Sequence, residues 1–210
     1  EYFINFSVNT KKDLPYLPQG FQVAHEQFQI PIQKLNKTII DIIDGDLIID
    51  ESNTLIIISS KKVKFIFDKT KGYVTSYSVN NQEYIHGSFG FQPNFWRGPT
   101  DNDYGNGAPR RQQIWKSMSR NYQCTTKHAY NSRAKCAVLN ATYKLVSKRT
   151  YSMIYHIYAN GVIRMDMKFN GSTGTDNQID IPRIGQRFRI PIDFNIIEYF
   201  GRGPEENYWD

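Results

Sequence analysis

Short runs of β-branched and aromatic residues, separated by turn-forming residues, recur along most of the chain and limit what it can fold into. Strands favour Ile, Val, Thr, Tyr and Phe because these side chains pack well on a pleated, half-buried surface. The clearest runs form a meander whose connections contain Gly, Asn and Lys, which suit tight turns. The strands predicted for this meander are Thr54–Ser60, Val63–Asp68, Tyr73–Val79 and Glu83–His86.

Similar runs lie before and after the meander, and together they predict an all-β sandwich with one short helix. The helix is predicted over Ala108–Met118, where Pro109 suits the first turn. Turn residues and a change in charge between Asn36 and Asp50 predict a domain boundary. The other predicted strands are Tyr2–Val8, Phe21–Ile32, Cys136–Val146, Ser152–Tyr158, Val162–Phe169, Arg187–Ile190 and Asn195–Phe200.

Composition excludes several classes of protein. The 210 residues are 40% hydrophobic and 14% aromatic, which is enough for a core and argues against global disorder. No run of 18 apolar residues occurs, so we expect no transmembrane helix and no membrane partner. The net charge is +6, but the clustered lysines surround a predicted hairpin turn and no recognition motif accompanies them, so we expect no nucleic-acid partner. These lysines are Lys61, Lys62, Lys64, Lys69 and Lys71.

The ends and the general composition say little about where the protein works. The chain starts at Glu1 with no basic and then apolar leader, so we expect a piece of a longer polypeptide. Abundant Asn and Ile favour an AT-rich bacterial genome, and leave periplasm and cytoplasm both open.

Cysteine and acidic residues give no metal signal. Cys124 and Cys136 lack accompanying Cys or His spacing, so we expect two buried free thiols. Asp101-Asn102-Asp103 resembles the start of a calcium loop, but Gln112 stands where the loop needs Glu. We therefore expect a turn in which the Asp and Asn side chains bond to their own backbone.

Glycoside hydrolysis needs two carboxyl groups across the scissile bond. Glu198, Glu205 and Glu206 are candidates by residue type alone, because nothing in the local sequence pairs them. Four isolated histidines, His25, His86, His128 and His156, add no recognisable catalytic or metal-binding spacing. The residues by themselves therefore predict a β-sandwich protein without a defined function.

Two aromatic pairs in loop-like segments leave two interpretations open. Phe95-Trp96 and Tyr208-Trp209 lie beside Gly, Pro and Arg. Flat aromatic faces next to polar groups suit stacking against sugars, but the same rings also suit the rim of a sandwich.

Four segments, in order along the chain, resemble large β-galactosidases of glycoside hydrolase family 2. Asn94–Gly105 resembles the signature Arg-x-Pro-x-Asp-Asn-Asp-x-Gly, and Tyr199–Tyr208 resembles Gly-x-Gly-Pro-x-Glu-Asn-Tyr. Gly20–Phe28 is similar to the segment that closes the family's fourth domain, and Ile181–Gly185 is similar to the entry of a strand in its fifth. The signature positions are Arg97, Pro99, Gly201, Gly203, Pro204, Glu206, Asn207 and Tyr208.

The resemblance implies a fold and a division of the chain. Residues 1–38 would form the end of an immunoglobulin-like sandwich, and residues 39–210 most of a large antiparallel sandwich like that of galactose mutarotases. Both sandwiches would be incomplete within this chain.

The resemblance also implies an activity. Family members hydrolyse terminal β-D-galactosides with retention, using two glutamates in a barrel that would precede residue 1. The magnesium and sodium ligands would lie in that barrel too, so we assign no catalytic and no metal-binding residue here and expect the chain alone to be inactive. The parent protein is expected to be a homo-oligomer.

The same resemblance places one loop of this chain at the active-site mouth. Tyr104–Arg111 is expected to be mobile, with Gly105 as its hinge. Arg97 is expected to form a forked pair with Asp101 or Asp103, or to cap nearby backbone carbonyls, and so to fix the direction in which the loop leaves. Two rival functions stay open: a carbohydrate-binding sandwich acting alone, and a structural module that supports oligomer contacts. The predicted substrate-mouth residues are Asp101, Asn102, Asp103, Tyr104, Gly105, Asn106 and Gly107.

Overall fold

The computed structural model describes residues 2–30, 45–146, 148–171 and 179–199. The chain divides into two compact units, residues 1–41 and 42–210. The strands within the described ranges are β1 Tyr2–Asn9, β2 Gln22–Ile30, β3 Ile48–Glu51, β4 Leu55–Ser59, β5 Val63–Asp68, β6 Tyr73–Val79, β7 Gln82–Glu83, β8 Gln92–Asn94, β9 Gln123–Asn131, β10 Cys136–Lys144, β11 Thr150–Tyr158, β12 Ile163–Asn170 and β13 Gly185–Arg187. The helices there are a 3₁₀ helix His86–Ser88, α1 Asp101–Gly105, α2 Ala108–Arg111 and α3 Gln113–Met118.

The first unit contains an antiparallel hairpin of β1 and β2, with Tyr2 opposite Ile30. The rings of Phe6 and Phe28 meet edge to face, with centroids 5.8 Å apart. The two strands match those predicted from alternation, although residues 31 and 32 lie outside the described part of the chain. The assignment of residues 1–38 to an immunoglobulin-like sandwich stays a prediction.

The second unit is built on two antiparallel sheets that pack face to face. One sheet has the order β3-β4-β5-β6-β7 and the other β12-β11-β10-β9. Alternate residues of β5 are buried, namely Val63, Phe65 and Phe67, and Phe65 contacts Tyr155 of β11 with ring centroids 5.5 Å apart. Side chains of both inner faces form one core, as sandwich packing requires. The predicted all-β sandwich is therefore confirmed, whereas the likeness to galactose mutarotases stays a prediction.

The meander follows the sequence prediction closely. Strands β5 and β6 have the predicted bounds. Asn80 and Asn81, in the connection between β6 and β7, adopt positive φ angles of 49° and 65°. Asparagine tolerates this left-handed region, which two-residue hairpin turns require.

Some predictions of secondary structure are wrong. Residues 188–190 and 195–199 do not form strands, while β3, β8, β9 and most of β13 were not predicted. Strand β9 escaped prediction because its half-buried positions are filled by Cys124, Thr126 and His128, which break the apolar alternation. The proposed strand Glu83–His86 is shorter, because β7 ends at Glu83 and a 3₁₀ helix begins at His86.

Both cysteine thiols are free, as expected, but only Cys136 is fully buried. Burial raises the pKa of the Cys124 thiol to about 12 and that of Cys136 above its usual value. In the part of the chain that the structure describes, no helix is both long enough and apolar enough to cross a bilayer.

Candidate functional site

The segment that follows β8 is held to the sandwich by Phe95. This side chain is completely buried, and its ring lies 5.4–6.1 Å from the rings of Tyr151, Phe169 and Trp115. The backbone N–H of Phe95 donates to Ser119 Oγ at 2.8 Å, and this hydroxyl donates to the Trp115 carbonyl at 2.9 Å. The base of the predicted loop is therefore fixed to α3 and to the core.

The aromatic pair predicted in this segment is split between two environments. Phe95 is a core residue, so its ring packs inside the sandwich and is not available for stacking against a sugar. Trp96 is half-buried, and the Lys116 ammonium lies 5.6 Å from the centre of its ring. Tyr208 and Trp209 lie outside the described residues.

Arg97 forms the forked pair that the sequence predicted, with Asp103 as its partner. Arg97 Nη1 donates to Asp103 Oδ2 at 2.6 Å, and Nη2 donates to Oδ1 at 3.0 Å. Arg97 Nη1 also reaches the Gly98 carbonyl at 3.2 Å. Two parallel bonds between planar groups fix direction as well as distance, so this pair sets how the chain leaves Gly98.

Asp103 also caps the helix in which it lies. Its carboxylate accepts from the backbone N–H of Thr100 at 2.7 Å, while Thr100 Oγ1 accepts from the N–H of Asp103 at 3.4 Å. This reciprocal arrangement is a capping box at the start of α1. The Thr100 N–H, and then Arg97, hold the pKa of Asp103 below its usual range.

The acidic cluster therefore differs from the turn that was predicted. Asp101, Asn102 and Asp103 form the first turn of α1, where carboxylates also interact favourably with the helix dipole. The sequence analysis missed Thr100, although its spacing of three residues to Asp103 matches a capping box. Because Arg97 and Thr100 both donate hydrogen bonds to the Asp103 carboxylate, Asp101 provides the exposed carboxylate of this turn.

The two glycines of the predicted hinge segment differ in conformation, and a hinge at Gly105 stays a prediction. Gly105 lies in the last turn of α1, whereas Gly107 adopts the left-handed conformation, with a φ of 72°. Asn106 Oδ1 accepts from the N–H of Ala108 at 2.9 Å, and the Arg111 guanidinium donates to the Asn106 carbonyl. Ala108 is buried, so this connection is attached to the core. The mobility of Tyr104–Arg111 stays a prediction.

The predicted single helix is also revised. The range Ala108–Met118 contains two short helices, α2 and α3, which meet at Gln112, and α1 precedes them. Trp115 and Met118 are buried, as their helical spacing predicted.

Two of the segments that resemble β-galactosidases come together at this place. Strand β8 pairs with β13, and Asn94 lies opposite Gly185. Pro182 lines a small cavity of about 10 Å³ together with Arg97, Asp103 and Pro109. A cavity of this size holds about one water molecule, so it is no ligand pocket. The outer side of α1 remains available, and Tyr104 there is 66% exposed.

The remaining candidates do not assemble into a hydrolytic pair within the described residues. Glu198 is exposed, and the signature from Gly201 to Tyr208, with Glu205 and Glu206, lies outside the described residues. Among the residues that the structure describes, no three His, Cys, Asp or Glu side chains converge as a metal site.

Two histidines that looked isolated in the sequence have carboxylate partners. His128 Nε2 lies 2.9 Å from Glu51 Oε2, and His156 Nε2 lies 3.2 Å from Asp166 Oδ2. A hydrogen bond from Lys69, and then one from His128, lower the pKa of Glu51 to about 2. Glu51 and His128 are 77 residues apart and are brought together from β3 and β9, so no local pattern indicates their contact. His156 and Asp166 are only ten residues apart and meet across the paired strands β11 and β12.

Comparison with known proteins agrees with the four resembling segments. The family model described as beta galactosidase small chain matches residues 59–210. The β-galactosidase of Priestia megaterium is 29% identical over the whole chain, which covers 20% of that relative. The enzyme of Clostridium acetobutylicum is 30% identical over 73% of the chain, and that of Lactococcus lactis is 29% identical over 99%.

The chain spans about a fifth of the length of these relatives, from 17% to 22%. The family model covers the whole sandwich from the end of β4 onward, including the Arg97–Asp103 pair, α1 and the strands that support them. This chain therefore belongs to the beta galactosidase small chain family.

Proposed function

We propose that the chain is a non-catalytic portion of a retaining β-galactosidase of glycoside hydrolase family 2, which hydrolyses terminal β-D-galactosides. The match of the small-chain family to residues 59–210 carries this proposal, and the relatives named as β-galactosidases support it. Retaining hydrolysis needs an acid/base and a nucleophile about 5–5.5 Å apart. In this proposal both carboxyl groups, and the magnesium and sodium sites, belong to a catalytic barrel outside residues 1–210.

The proposed role of this chain is to shape the mouth of the active site and to support a homo-oligomer. The segment at α1 suits the first task because its base is rigid and its outer side is exposed. Phe95 and the Arg97–Asp103 pair fix the base, while Asp101 and Tyr104 project from the outer side. Binding residues are commonly carried on such short segments above a rigid scaffold.

One experiment tests whether the chain itself performs chemistry. We expect the purified 210-residue chain to leave o-nitrophenyl β-D-galactoside intact, and to show no saturable binding of galactose by calorimetry. Turnover that follows the purified chain and disappears in Glu206→Gln would place the chemistry in this chain and refute the proposal. Saturable galactose binding without turnover would instead favour the carbohydrate-binding module that acts alone.

A second experiment tests the role of the α1 segment in the complete galactosidase that carries this chain. Tyr104→Ala should change KM for the galactoside, since this ring is 66% exposed on the capped helix α1. Tyr130→Ala is the matched control, because Tyr130 is 44% exposed on β9, away from α1. Equal kinetics of the two variants, with equal thermal unfolding, would remove the α1 segment from the active-site mouth.

A further inference from the structure

A cleft of about 250 Å³ lies beside the Arg97–Asp103 pair. Within the part of the chain that the structure describes, every charged residue that lines this cleft is basic. Strands β8 and β13 contribute Asn94 and Arg187 to its lining, and Lys116 of α3 and the two residues that follow this helix contribute to it as well. The basic side chains that line it are Arg97, Lys116, Arg120, Arg183 and Arg187.

Most of this positive charge has no carboxylate partner in the part of the chain that the structure describes. Arg97 pairs with Asp103, which leaves four of the five basic groups. None of these four takes part in an ion pair between described residues. Like charges that share a cleft repel one another, so their convergence favours a bound anion.

Aromatic rings hold two of these cations in place. The Lys116 ammonium lies 5.6 Å from the centre of the Trp96 ring, and the Arg187 guanidinium carbon lies 5.3 Å from that of Phe89. Arg187 Nε is buried and has no hydrogen-bond acceptor among the described residues. Both cations are thus oriented by packing against aromatic rings, while no described carboxylate forms an ion pair with them.

We propose that this cleft binds a phosphate group, either as free phosphate or as the monoester of a small sugar. A phosphate carries about −1.5 to −2 charges at neutral pH and offers three acceptor oxygens, which match several converging cations better than a single carboxylate does. Guanidinium groups bind phosphate oxygens through two parallel hydrogen bonds. This inference goes beyond the proposed galactosidase role and does not depend on it.

The test is calorimetric titration of the 210-residue chain with inorganic phosphate, at an ionic strength held constant with sodium chloride. Saturable binding is expected, and Arg183→Glu and Lys116→Glu should each weaken it about tenfold or more, since each removes a charge-assisted contact. Both residues are exposed, so these variants are expected to fold. Arg133→Glu is the control, with the same charge change at an exposed residue outside the cleft, and should bind as the parent does.

Titration with galactose 6-phosphate separates the two sources of the phosphate group. Tighter binding of the sugar phosphate than of inorganic phosphate assigns the cleft to a monoester, and equal binding assigns it to the free ion. The proposal is overturned if binding does not saturate up to about 20 mM phosphate, or if Arg133→Glu loses as much affinity as the cleft variants do. Either result would mean that phosphate acts on this protein only through nonspecific charge screening. Neither result bears on galactoside hydrolysis, which is measured separately.

Discussion

Replacement of Ser119 by alanine tests how the α1 segment is attached to the sandwich. Ser119 is 3% exposed, and its hydroxyl accepts the N–H of Phe95 at 2.8 Å. In Ser119→Ala this buried N–H loses its acceptor, which costs about 1–3 kcal/mol. The Trp115 carbonyl keeps a bond from the backbone N–H of residue 119 at 3.1 Å, so we expect no second penalty of that size.

Thermal unfolding measures this effect directly. For a unit of this size, a loss of about 1–3 kcal/mol lowers Tm by about 2–12 °C. Tryptophan fluorescence is the suitable signal because Trp96, Trp115 and Trp209 all belong to the second unit. Ser117→Ala is the matched control, since Ser117 is an exposed residue of α3 two positions before Ser119. Its hydroxyl accepts from the Asn121 side chain at 3.1 Å, and water can replace this exposed bond. We expect the control to stay within about 0.5 kcal/mol. Equal loss of stability in the two variants would show that the Ser119 hydroxyl does not anchor Phe95.

Three further predictions concern the capped helix α1. Arg97→Lys keeps the charge but removes the fork to Asp103, so Tm should fall by a few degrees, as chemical denaturation can confirm. Because the pKa of Asp103 is lowered on folding, its contribution to stability is present above about pH 4 and disappears as the pH falls, and Asp103→Asn should remove this acid dependence. Gly107→Ala should lower the free energy of unfolding by about 1 kcal/mol, because φ at this position is 72°. Gly105→Ala should raise it by about 0.5–1 kcal/mol, because Gly105 is helical and has open space around it. Thermal unfolding of the two variants measures both effects.

The sequence predicts those parts of the structure in which the determining residues are neighbours along the chain. Alternating apolar residues identified β5 and β6, because residues at every second position of these segments lie on the core side of the strand. Arg97 and Asp103 are only six residues apart, so their residue types and their spacing in the sequence were sufficient to predict the forked pair. Strand β9 was missed, because it is paired through β10 and carries polar residues on its half-buried side.

Contacts between distant residues account for most of what the sequence could not predict about the site. The bond from Phe95 to Ser119 joins residues that are 24 positions apart, and nothing near either residue indicates it. Strands β8 and β13 are three residues each, too short for alternation to be recognised. Their pairing places Asn94 opposite Gly185, and each strand contributes a residue, Asn94 or Arg187, to the lining of the basic cleft.

The two aspartates of the Asp-Asn-Asp signature, Asp101 and Asp103, lie in different environments, although they are chemically identical. Asp103 accepts bonds from both the Arg97 side chain and the Thr100 backbone, so its carboxylate is saturated by contacts that hold α1 in place. A saturated carboxylate of this kind, with a lowered pKa, is a poor proton donor to a substrate at neutral pH. Asp101, on the same turn, is exposed and lies in the first turn of the helix, where its negative charge is favourable. The signature therefore contains one structural aspartate that orients the helix and one aspartate that stays exposed on the same turn.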